Sequence, residues 1–392
     1  MLERPISKAG WTRVRFDQIA TQINDRVDNP AEAGVDRYVG LEHLDPDSLR
    51  IRRWGEPTDV ESTKLRFQPG DIIFGKRRVY QRKVAVADFE GICSAHAMVL
   101  RAKPGTVLPE FLPFFMQSDL FMERALSISV GSLSPTINWK ALAAEEFLLP
   151  PIQEQARLVE ALSASQAFVE ALTRQLDTGQ VVFQAAVDDI FTRSAQRGDH
   201  AVAPLSKLAS KIVDGVHHTP SYTESGVPFL TVENLTRGQG IDFSETRFVS
   251  ETDHAEFIKR AYPEKGDVLI SKDGTLGISR VVETSRPFSI FVSVALVKPV
   301  RGLLEPWFLR FYFESSLFKR HIGSRVSGSA LKHIHLVDLR ESPIPVMSVE
   351  RQMEASQSLS QIHASLEAIA RRISGARGAS SQILSKIVEE NA

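Results

Sequence analysis

The chain has 392 residues and a formal net charge of −1, with 43% hydrophobic and 24% charged residues. At about 150 residues per domain, this length predicts two or three globular domains. The composition is that of an ordinary soluble protein and excludes a disordered or collagen-like chain. No apolar run approaches the roughly 18 residues that span a bilayer, and the first residues lack the apolar core of a signal peptide. A single cysteine, Cys93, excludes an internal disulfide and a cysteine-type zinc site. We therefore expect a cytoplasmic protein.

The chain repeats itself at an offset of about 197 residues. Seven of thirteen residues coincide between 109–121 and 306–318, among them Ser118 with Ser315. QPGDIIFGK at 68–76 pairs in the same way with EKGDVLISK at 264–272. Two copies of one unit therefore make up nearly the whole chain, which is too few and too long for a solenoid.

Each copy is predicted to begin as a mixed α/β domain. Residues 11–110 contain short apolar runs separated by Gly, Pro and Asp, which is typical of strands and turns. Copy two shows the same pattern in PFLTVENL, DVLISKD and FVSVALVKP. A helix rich in phenylalanine and leucine is predicted to follow, near 109–126 and near 306–322.

Each copy is predicted to end in a long helix. In copy one, apolar residues recur every seven positions after Pro150 and Pro151, a pair that favours a helix start. The seam positions are Leu162, Val169, Leu176, Phe183 and Ile190 in copy one, and Leu359, Leu366 and Ile373 in copy two. Sevenfold spacing is typical of a coiled coil, and the alternative is two amphipathic helices that each pack on their own domain. Gly179, Gly375 and Gly378 interrupt the pattern and predict a break or kink.

These elements predict an α/β architecture of two similar globular domains separated by two long helices. The first domain is expected over residues 1–150 and the first helix over 151–196. The second domain is expected over 197–347 and the second helix over 348–392.

Catalytic signatures do not occur in the sequence. There is no GxxxxGK[ST] loop, no HExxH and no GxSxG elbow. The pair His217 and His218, like the pair His333 and His335, lacks the carboxylates and spacing of a metal site. We expect no metal in this chain.

One pattern superficially resembles the active-site motif of a metal-dependent nuclease. A Gly-Asp turn, a strand and a lysine follow one another, with Asp71 and Lys76 in copy one and Asp267 and Lys272 in copy two. The pattern lacks a second acidic residue, and a Gly-Asp turn that opens a strand is the simpler interpretation.

Positive charge is concentrated in the two domains. Residues 50–83 carry ten positive and four negative side chains, and residues 301–340 carry seven and three. The helix predicted at 152–191 carries two positive and six negative side chains. Lys and Arg favour phosphates, so the stretch KRRVYQRK at 76–83 predicts a polyanion contact, with a solvated hairpin as the alternative. Two similar domains joined by a rigid spacer suit two half-sites on one duplex.

The segment LLPPIQEQARLVEAL at 148–162 resembles the junction motif in specificity subunits of Type I restriction–modification systems. In that family, a target-recognition domain ends in Leu-Pro-Pro and a helix begins with Glu-Gln. The segments at 131–138 and 328–335 and the order domain, helix, domain, helix fit as well, so the resemblance covers almost the whole chain. Copy two departs from the motif, because IPVMSVERQ at 344–352 lacks the double proline and has Arg351 in place of glutamate.

The resemblance implies that each domain reads one half of a split DNA sequence and that the two helices pair antiparallel. It implies a chain without catalytic activity or cofactor of its own. The implied partners are double-stranded DNA, two methyltransferase subunits that use S-adenosylmethionine, and a restriction subunit that uses ATP and Mg²⁺, with no membrane. A single-chain metal-dependent nuclease and a coiled-coil adaptor that does not bind DNA are the alternatives.

Site residues are predicted in the basic stretch, in the repeated segments, in a histidine-containing turn and at the two helix starts. The DNA-contact candidates are Arg77, Arg78, Tyr80, Arg82, Lys83, Ser134, Thr136, Asn138, Lys140, His217, His218, Tyr222, Lys272, Thr275, Ser329, Lys332 and His333. The partner-contact candidates are Gln153, Glu154, Gln155, Arg351 and Gln352.

Overall fold

A computed structural model describes residues 10–198, 200–238, 240–323 and 333–388, without the side chains of 386–388. The chain forms two compact units. Unit 1 takes the residues up to Thr173 and those from Arg371 onward, and unit 2 takes Arg174–Ala370. The division therefore falls within the two long helices.

Unit 1 contains ten strands and four short α-helices among its described residues, followed by the first part of a long helix. In chain order they are β1 (Thr12–Arg15), α1 (Phe16–Ile19), β2 (Ala20–Ile23), β3 (Arg26–Val27), β4 (Tyr38–Val39), β5 (Lys64–Phe67), β6 (Ile72–Phe74), β7 (Val84–Val86), β8 (Gly91–Ser94), β9 (Met98–Ala102), α2 (Phe111–Met116), α3 (Asp119–Ser127), α4 (Trp139–Ala144), β10 (Glu146–Leu149) and the long helix α5 (Ile152–Asp188).

Unit 2 repeats this arrangement between the later part of α5 and the second long helix. Its elements are α6 (Ser194–Arg197), β11 (Val202–Pro204), β12 (Ala209–Asp214), β13 (Val227–Leu230), α7 (Val232–Thr236), β14 (Arg247–Val249), α8 (Glu251–Phe257), β15 (Val268–Ser271), β16 (Ser279–Val281), β17 (Ser289–Ile290), β18 (Val294–Pro299), α9 (Pro306–Tyr312), α10 (Ser316–Gly323), α11 (Leu336–Arg340), β19 (Pro343–Pro345) and the first part of the second long helix, α12 (Val349–Val388).

The sequence repeat is a repeat of topology. The antiparallel sheet β2-β9-β6-β7 in unit 1 has the same strand order as β12-β18-β15-β16 in unit 2. A second sheet contains one parallel pair in each unit, β4 with β8 and β13 with β17. The first and last strands of each domain also pair, β1 with β10 and β11 with β19. The prediction of a mixed α/β fold is confirmed.

Each aromatic segment forms two short helices, so the prediction of one helix per segment is wrong. The Ser118 hydroxyl accepts a hydrogen bond from the Phe121 amide at 3.3 Å, and the Ser315 hydroxyl accepts one from the Phe318 amide at 3.2 Å. A serine that caps a helix start satisfies an amide that lacks an intrahelical partner. The repeated serine therefore begins a new helix, and both Phe121 and Phe318 are buried in the core of their unit.

The long helices pass through Gly179, Gly375 and Gly378 without interruption, so the prediction of a break is wrong. A Cβ at position 179 would lie 2.4 Å from the Leu366 Cδ2 atom. Gly179 therefore allows close approach of the two helices within unit 2. The irregularity falls instead after α5, where Asp189–Arg193 forms a π-helical turn.

Within each unit the two helices contact one another and run in opposite chain directions. In unit 1 the hydroxyl oxygens of Ser165 and Ser380 are 2.7 Å apart, and Phe168 lies beneath the guanidinium of Arg372. In unit 2 the pairs are Gly179 with Leu366 and Phe183 with His363. No helix in the described part of the chain is long and apolar enough to cross a bilayer.

Candidate nucleic-acid interface

In unit 1 the basic stretch after β6 lies beside the segment 130–136. Arg77 forms an isolated β-bridge with Thr136, and the Arg78 amide donates to the Pro135 carbonyl at 2.8 Å. The Arg78 Nε atom lies 3.4 Å from the Ser134 hydroxyl. The structure therefore brings four predicted site residues together, from two segments that are more than fifty residues apart.

Arg77 and Arg78 present their side chains at the surface of this site. The Arg77 Nη1 atom lies 3.2 Å from the His96 Nε2 atom. Partial burial lowers the pKa of His96, and the charges of Arg77 and Lys76 lower it further. The imidazole is therefore neutral near pH 7 and can accept a hydrogen bond from the guanidinium. His96 is a site neighbour that the sequence analysis missed.

Arg82 and Lys83, at the other end of the basic stretch, are bound within the domain. Arg82 pairs with two carboxylates at 2.7 and 2.9 Å and donates to a carbonyl at 2.6 Å. The Lys83 ammonium donates to a carbonyl at 2.6 Å. The four acceptors are Asp47, Asp119, and the carbonyl oxygens of Gln117 and Leu41. These contacts hold the loop to the fold, and a DNA contact by these two partly exposed side chains stays a prediction.

The backbone of this loop is strained. Arg78 and Arg82 flank the turn Val79–Gln81 with φ angles of 59° and 54°, and Asp47, which pairs with Arg82, has a φ of 52°. Residues other than glycine rarely adopt such φ angles, and backbone strain of this kind concentrates at functional sites. The Arg82 contacts and the buried Val79 side chain fix the turn, so Arg78 is held in an unfavourable conformation at the surface.

The remaining candidates in unit 1 differ in their freedom. Tyr80 and Lys140 are exposed. The Asn138 side-chain oxygen accepts a hydrogen bond from the Ala141 amide at 2.9 Å and caps α4. Asn138 therefore has a structural role, and its amide nitrogen remains available for a further contact.

In unit 2 a network of charged groups surrounds Asp214, at the end of β12. Its carboxylate accepts from Arg260, lies 3.0 Å from the His217 Nε2 atom, and lies 3.3 Å from the Lys272 ammonium. Burial would raise the pKa of Asp214, but the bonds from Arg260 and His217 outweigh it and lower that pKa. The carboxylate is thus charged and binds three cationic or histidine groups. Asp214 and Arg260 were missed by the sequence analysis.

The same network continues to His333. Lys272 lies 3.5 Å from the His333 Nε2 atom, and the other ring nitrogen of His333 bonds the Asp273 carboxylate. Asp273 also forms a β-bridge with His333, in the manner of Arg77 with Thr136 in unit 1. The structure therefore brings together the predicted residues His217, Lys272 and His333.

The other candidates of unit 2 lie outside this network or outside the described residues. The His218 ring packs against Phe257 with centroids 5.7 Å apart, and Tyr222 lies 4.7 Å beneath the Arg247 guanidinium. Thr275 is exposed in the turn after β15. Ser329 and Lys332 lie outside the described residues.

Gln155 and Gln352 are buried at the starts of the two long helices and make the same three hydrogen bonds. The side-chain oxygen of each accepts from a backbone amide, and the nitrogen donates to two carbonyls, at 2.8–2.9 Å. The partners are Leu108, Thr106 and Pro150 for Gln155, and Glu305, Leu303 and Met347 for Gln352. Both side chains are thus fully used within the chain, which corrects the prediction that they contact a partner. Gln153, Glu154 and Arg351 remain candidates.

The aspartates of the Gly-Asp turns have structural partners. The Asp71 carboxylate accepts from Arg101 at 2.7 and 2.9 Å, and Asp267 accepts from Lys298 at 2.6 Å. Each also accepts the backbone amide three residues earlier, at 2.9 Å and 2.7 Å respectively. They stabilise a turn, as the simpler interpretation predicts. In the part of the chain that the structure describes, no three His, Cys, Asp or Glu residues are placed to hold a metal ion.

Residues 55–178 match the family model of the Type I restriction modification DNA specificity domain. The chain is 30% identical over 184 residues to the Type I restriction enzyme EcoDI specificity subunit of Escherichia coli, covering 45% of this chain and 39% of that protein. Part of this chain is thus similar in sequence to Type I specificity subunits. It is also 22% identical to the EcoBI specificity subunit of Escherichia coli, over 58% of this chain and 53% of that protein. The matches thus span about two fifths to one half of the relatives' length.

Solved structures share the fold over nearly the whole chain. The Type I restriction-modification S subunit from M. genitalium superimposes with a TM-score of 0.60 at 16% identity, covering 100% of this chain and 99% of that one. A chain from a study of complex assembly and conformational transition of the type I R-M system gives a TM-score of 0.58 at 21% identity, with 97% of both chains covered. At these identities the likeness concerns the fold alone.

Proposed function

We propose that this chain is the specificity subunit of a Type I restriction–modification complex and reads a bipartite DNA sequence, one half-site per globular domain. The observation that carries the proposal is the repeated site. In both units the residue after the strand-end lysine forms a β-bridge with the same downstream segment, Arg77 with Thr136 in unit 1 and Asp273 with His333 in unit 2. Two related polar surfaces on one chain suit two half-sites of one duplex.

The two long helices would act as an antiparallel coiled-coil spacer between the domains. The opposite chain directions of their contacts within each unit support this role. The proposed boundaries are 1–150 and 197–347 for the target-recognition domains, and 151–196 and 348–392 for the spacer helices. Residues 1–150 end at the Pro150–Pro151 pair, where Gln155 fastens the helix start to the domain.

The partners would be two methyltransferase subunits and an ATP-dependent restriction subunit, which would supply S-adenosylmethionine, ATP and Mg²⁺ chemistry. Gln153, Glu154 and Arg351, at the helix starts, are the proposed contact residues. This function would place the chain with chromosomal DNA in the cytoplasm.

The two alternative functions have less support. A nuclease would need free carboxylates at the Gly-Asp turns, but Asp71 and Asp267 are paired with Arg101 and Lys298. A coiled-coil adaptor would not need the strained, cationic turn that presents Arg77 and Arg78.

The test starts with the methylation motif in genomic DNA of a host that carries this gene. The full chain, with and without its methyltransferase subunit, is then titrated with a duplex that contains the motif and with a scrambled duplex. We expect preference for the motif and no cleavage. Arg77→Ala/Arg78→Ala should weaken binding, whereas Arg157→Ala, which removes an exposed arginine of α5, is the matched control. Metal-dependent cleavage by the chain alone would support the nuclease, and indifference to DNA would support the adaptor.

A further inference from the structure

Leu133 is almost fully exposed in the segment that adjoins Arg77 and Arg78. The residue is 92% exposed, the highest value for a large hydrophobic residue in the described ranges, and Val130 in the same segment is 73% exposed. A single exposed leucine is common on protein surfaces and proves nothing alone. Here the position of the side chain is informative, because it lies within the predicted DNA site.

The segment that carries Leu133 is a short, anchored hairpin. Val130 and Thr136 exchange two backbone hydrogen bonds, each of 3.0 Å, and Gly131 turns the chain with a φ of 113°. The Arg78 amide ties the far side of the hairpin to the basic turn through Pro135, at 2.8 Å. Leu133 is therefore presented at the tip of a structure that is held at its base.

Two arginines adjoin the second strand of this hairpin. The Arg78 guanidinium lies 3.4 Å from the hydroxyl of Ser134, the residue after Leu133, and Arg77 pairs with Thr136. Proteins that deform DNA insert an apolar side chain, often Leu, Ile, Phe or Met, between two base pairs while cations hold the flanking phosphates. An apolar tip beside two arginines therefore suits an anionic DNA duplex.

We propose that Leu133 is an apolar wedge that enters the DNA of the half-site read by unit 1 and partly unstacks one base step. The inference rests on the proposed function and deepens it. Because pyrimidine–purine steps unstack at lower cost than other steps, the wedge favours such a step at a position where the protein makes no base-edge hydrogen bond. Leu133 would thus determine part of the specificity through DNA deformability.

The experiment places 2-aminopurine, whose fluorescence rises when it unstacks, at successive positions of the half-site read by unit 1. The full chain is used without methyltransferase, because such enzymes themselves extrude a base. We expect the wild type to raise fluorescence at one step. Leu133→Ala should abolish the rise and weaken binding about tenfold, as loss of most of a buried leucine predicts. Leu133→Phe should retain the rise, and Leu303→Ala, at a leucine of unit 2 that is 49% exposed, is the control.

The outcomes separate this inference from the proposed function. If Leu133→Ala has the affinity and the 2-aminopurine fluorescence of the wild type while Arg77→Ala/Arg78→Ala weakens binding, the wedge is refuted and the DNA-binding function stands. If Leu133→Ala binds DNA normally but loses the methyltransferase in a pull-down, the leucine docks a protein and the wedge is again refuted. If the wild type shows no preference for the motif, both proposals fail.

Discussion

The two ends of the basic stretch 76–83 should respond differently to mutation. Arg77 and Arg78 lie at the surface of the site, whereas Arg82 is bound by Asp47 and Asp119. We therefore expect Arg77→Ala/Arg78→Ala to change DNA binding at constant stability, and Arg82→Ala to change stability with little effect on the salt dependence of binding.

The magnitudes follow from the contacts. Each phosphate contact contributes a slope of about −0.9 to the plot of log K against log salt, so loss of two contacts should flatten it by about 1.8. Between 50 and 200 mM salt, the double variant should then lose roughly twelvefold less affinity than the wild type. Arg82 makes two ion pairs and one carbonyl bond, and its side chain is 28% exposed. With a discount for this exposure, Arg82→Ala should lower the free energy of unfolding by about 2 kcal/mol.

The assay combines fluorescence anisotropy of a labelled duplex at several salt concentrations with urea unfolding of the same proteins. Arg157→Ala serves as the exposed-arginine control in both measurements. A double variant with an unchanged salt slope would refute the assignment of Arg77 and Arg78 to phosphates. An Arg82→Ala chain that is as stable as the wild type but has a flatter salt slope would refute the assignment of Arg82 to the fold.

Three further changes test the structure. Arg78→Gly should raise stability by about 0.5–1 kcal/mol, since glycine accepts the positive φ, and should weaken DNA binding; urea midpoints and anisotropy check both. Gln155→Ala leaves a buried amide and two carbonyls unpaired and should cost about 3 kcal/mol in urea unfolding, whereas the exposed Gln153→Ala should cost nothing measurable. Burial, and then the charge of Arg310, lower the pKa of His363 from its ordinary 6.5. The unfolded chain therefore takes the proton first, and stability falls as pH drops below about 6.5. His363→Gln keeps an acceptor for Arg310 and should show a smaller loss between pH 8 and 5.5, because the other histidines contribute equally to both proteins.

The fold was accessible from the sequence because its signals are local or repeated. Alternating strands and turns, the sevenfold seam and the offset of 197 residues need no knowledge of distant contacts. The errors arose where a single side chain determines the local structure. Ser118 splits one predicted helix into two by capping, and Gly179 lies in an unbroken helix, where its missing side chain leaves room for Leu366. Neither the capping by Ser118 nor the close approach at Gly179 can be predicted from composition or periodicity.

The site was predicted in part, for the same reason. Arg78 and Arg82 are equivalent in KRRVYQRK, and only the positions of Asp47 and Asp119 in the fold separate an available cation from a structural one. Arg260 joins Asp214 across 46 residues of chain, so no local pattern could associate them. The junction glutamines illustrate the converse. Their position after the helix start fits the motif that the sequence resembles, but each side chain is buried and hydrogen-bonded within the chain.

The two units place different charges on the same frame. The residue after the strand-end lysine is Arg77 in unit 1, where it pairs with Thr136, and Asp273 in unit 2, where it pairs with His333. A guanidinium at this position adds a cation that can bind phosphates. The carboxylate of Asp273 instead bonds the His333 imidazole and offsets the charge of Lys272. If both units bind DNA, unit 1 contributes more of the salt-dependent affinity. Unit 2 then relies more on hydrogen bonds from oriented side chains, which are selective for bases rather than phosphates. Under the proposed function, one frame with exchangeable charges would allow each half of the chain to recognise its own half-site.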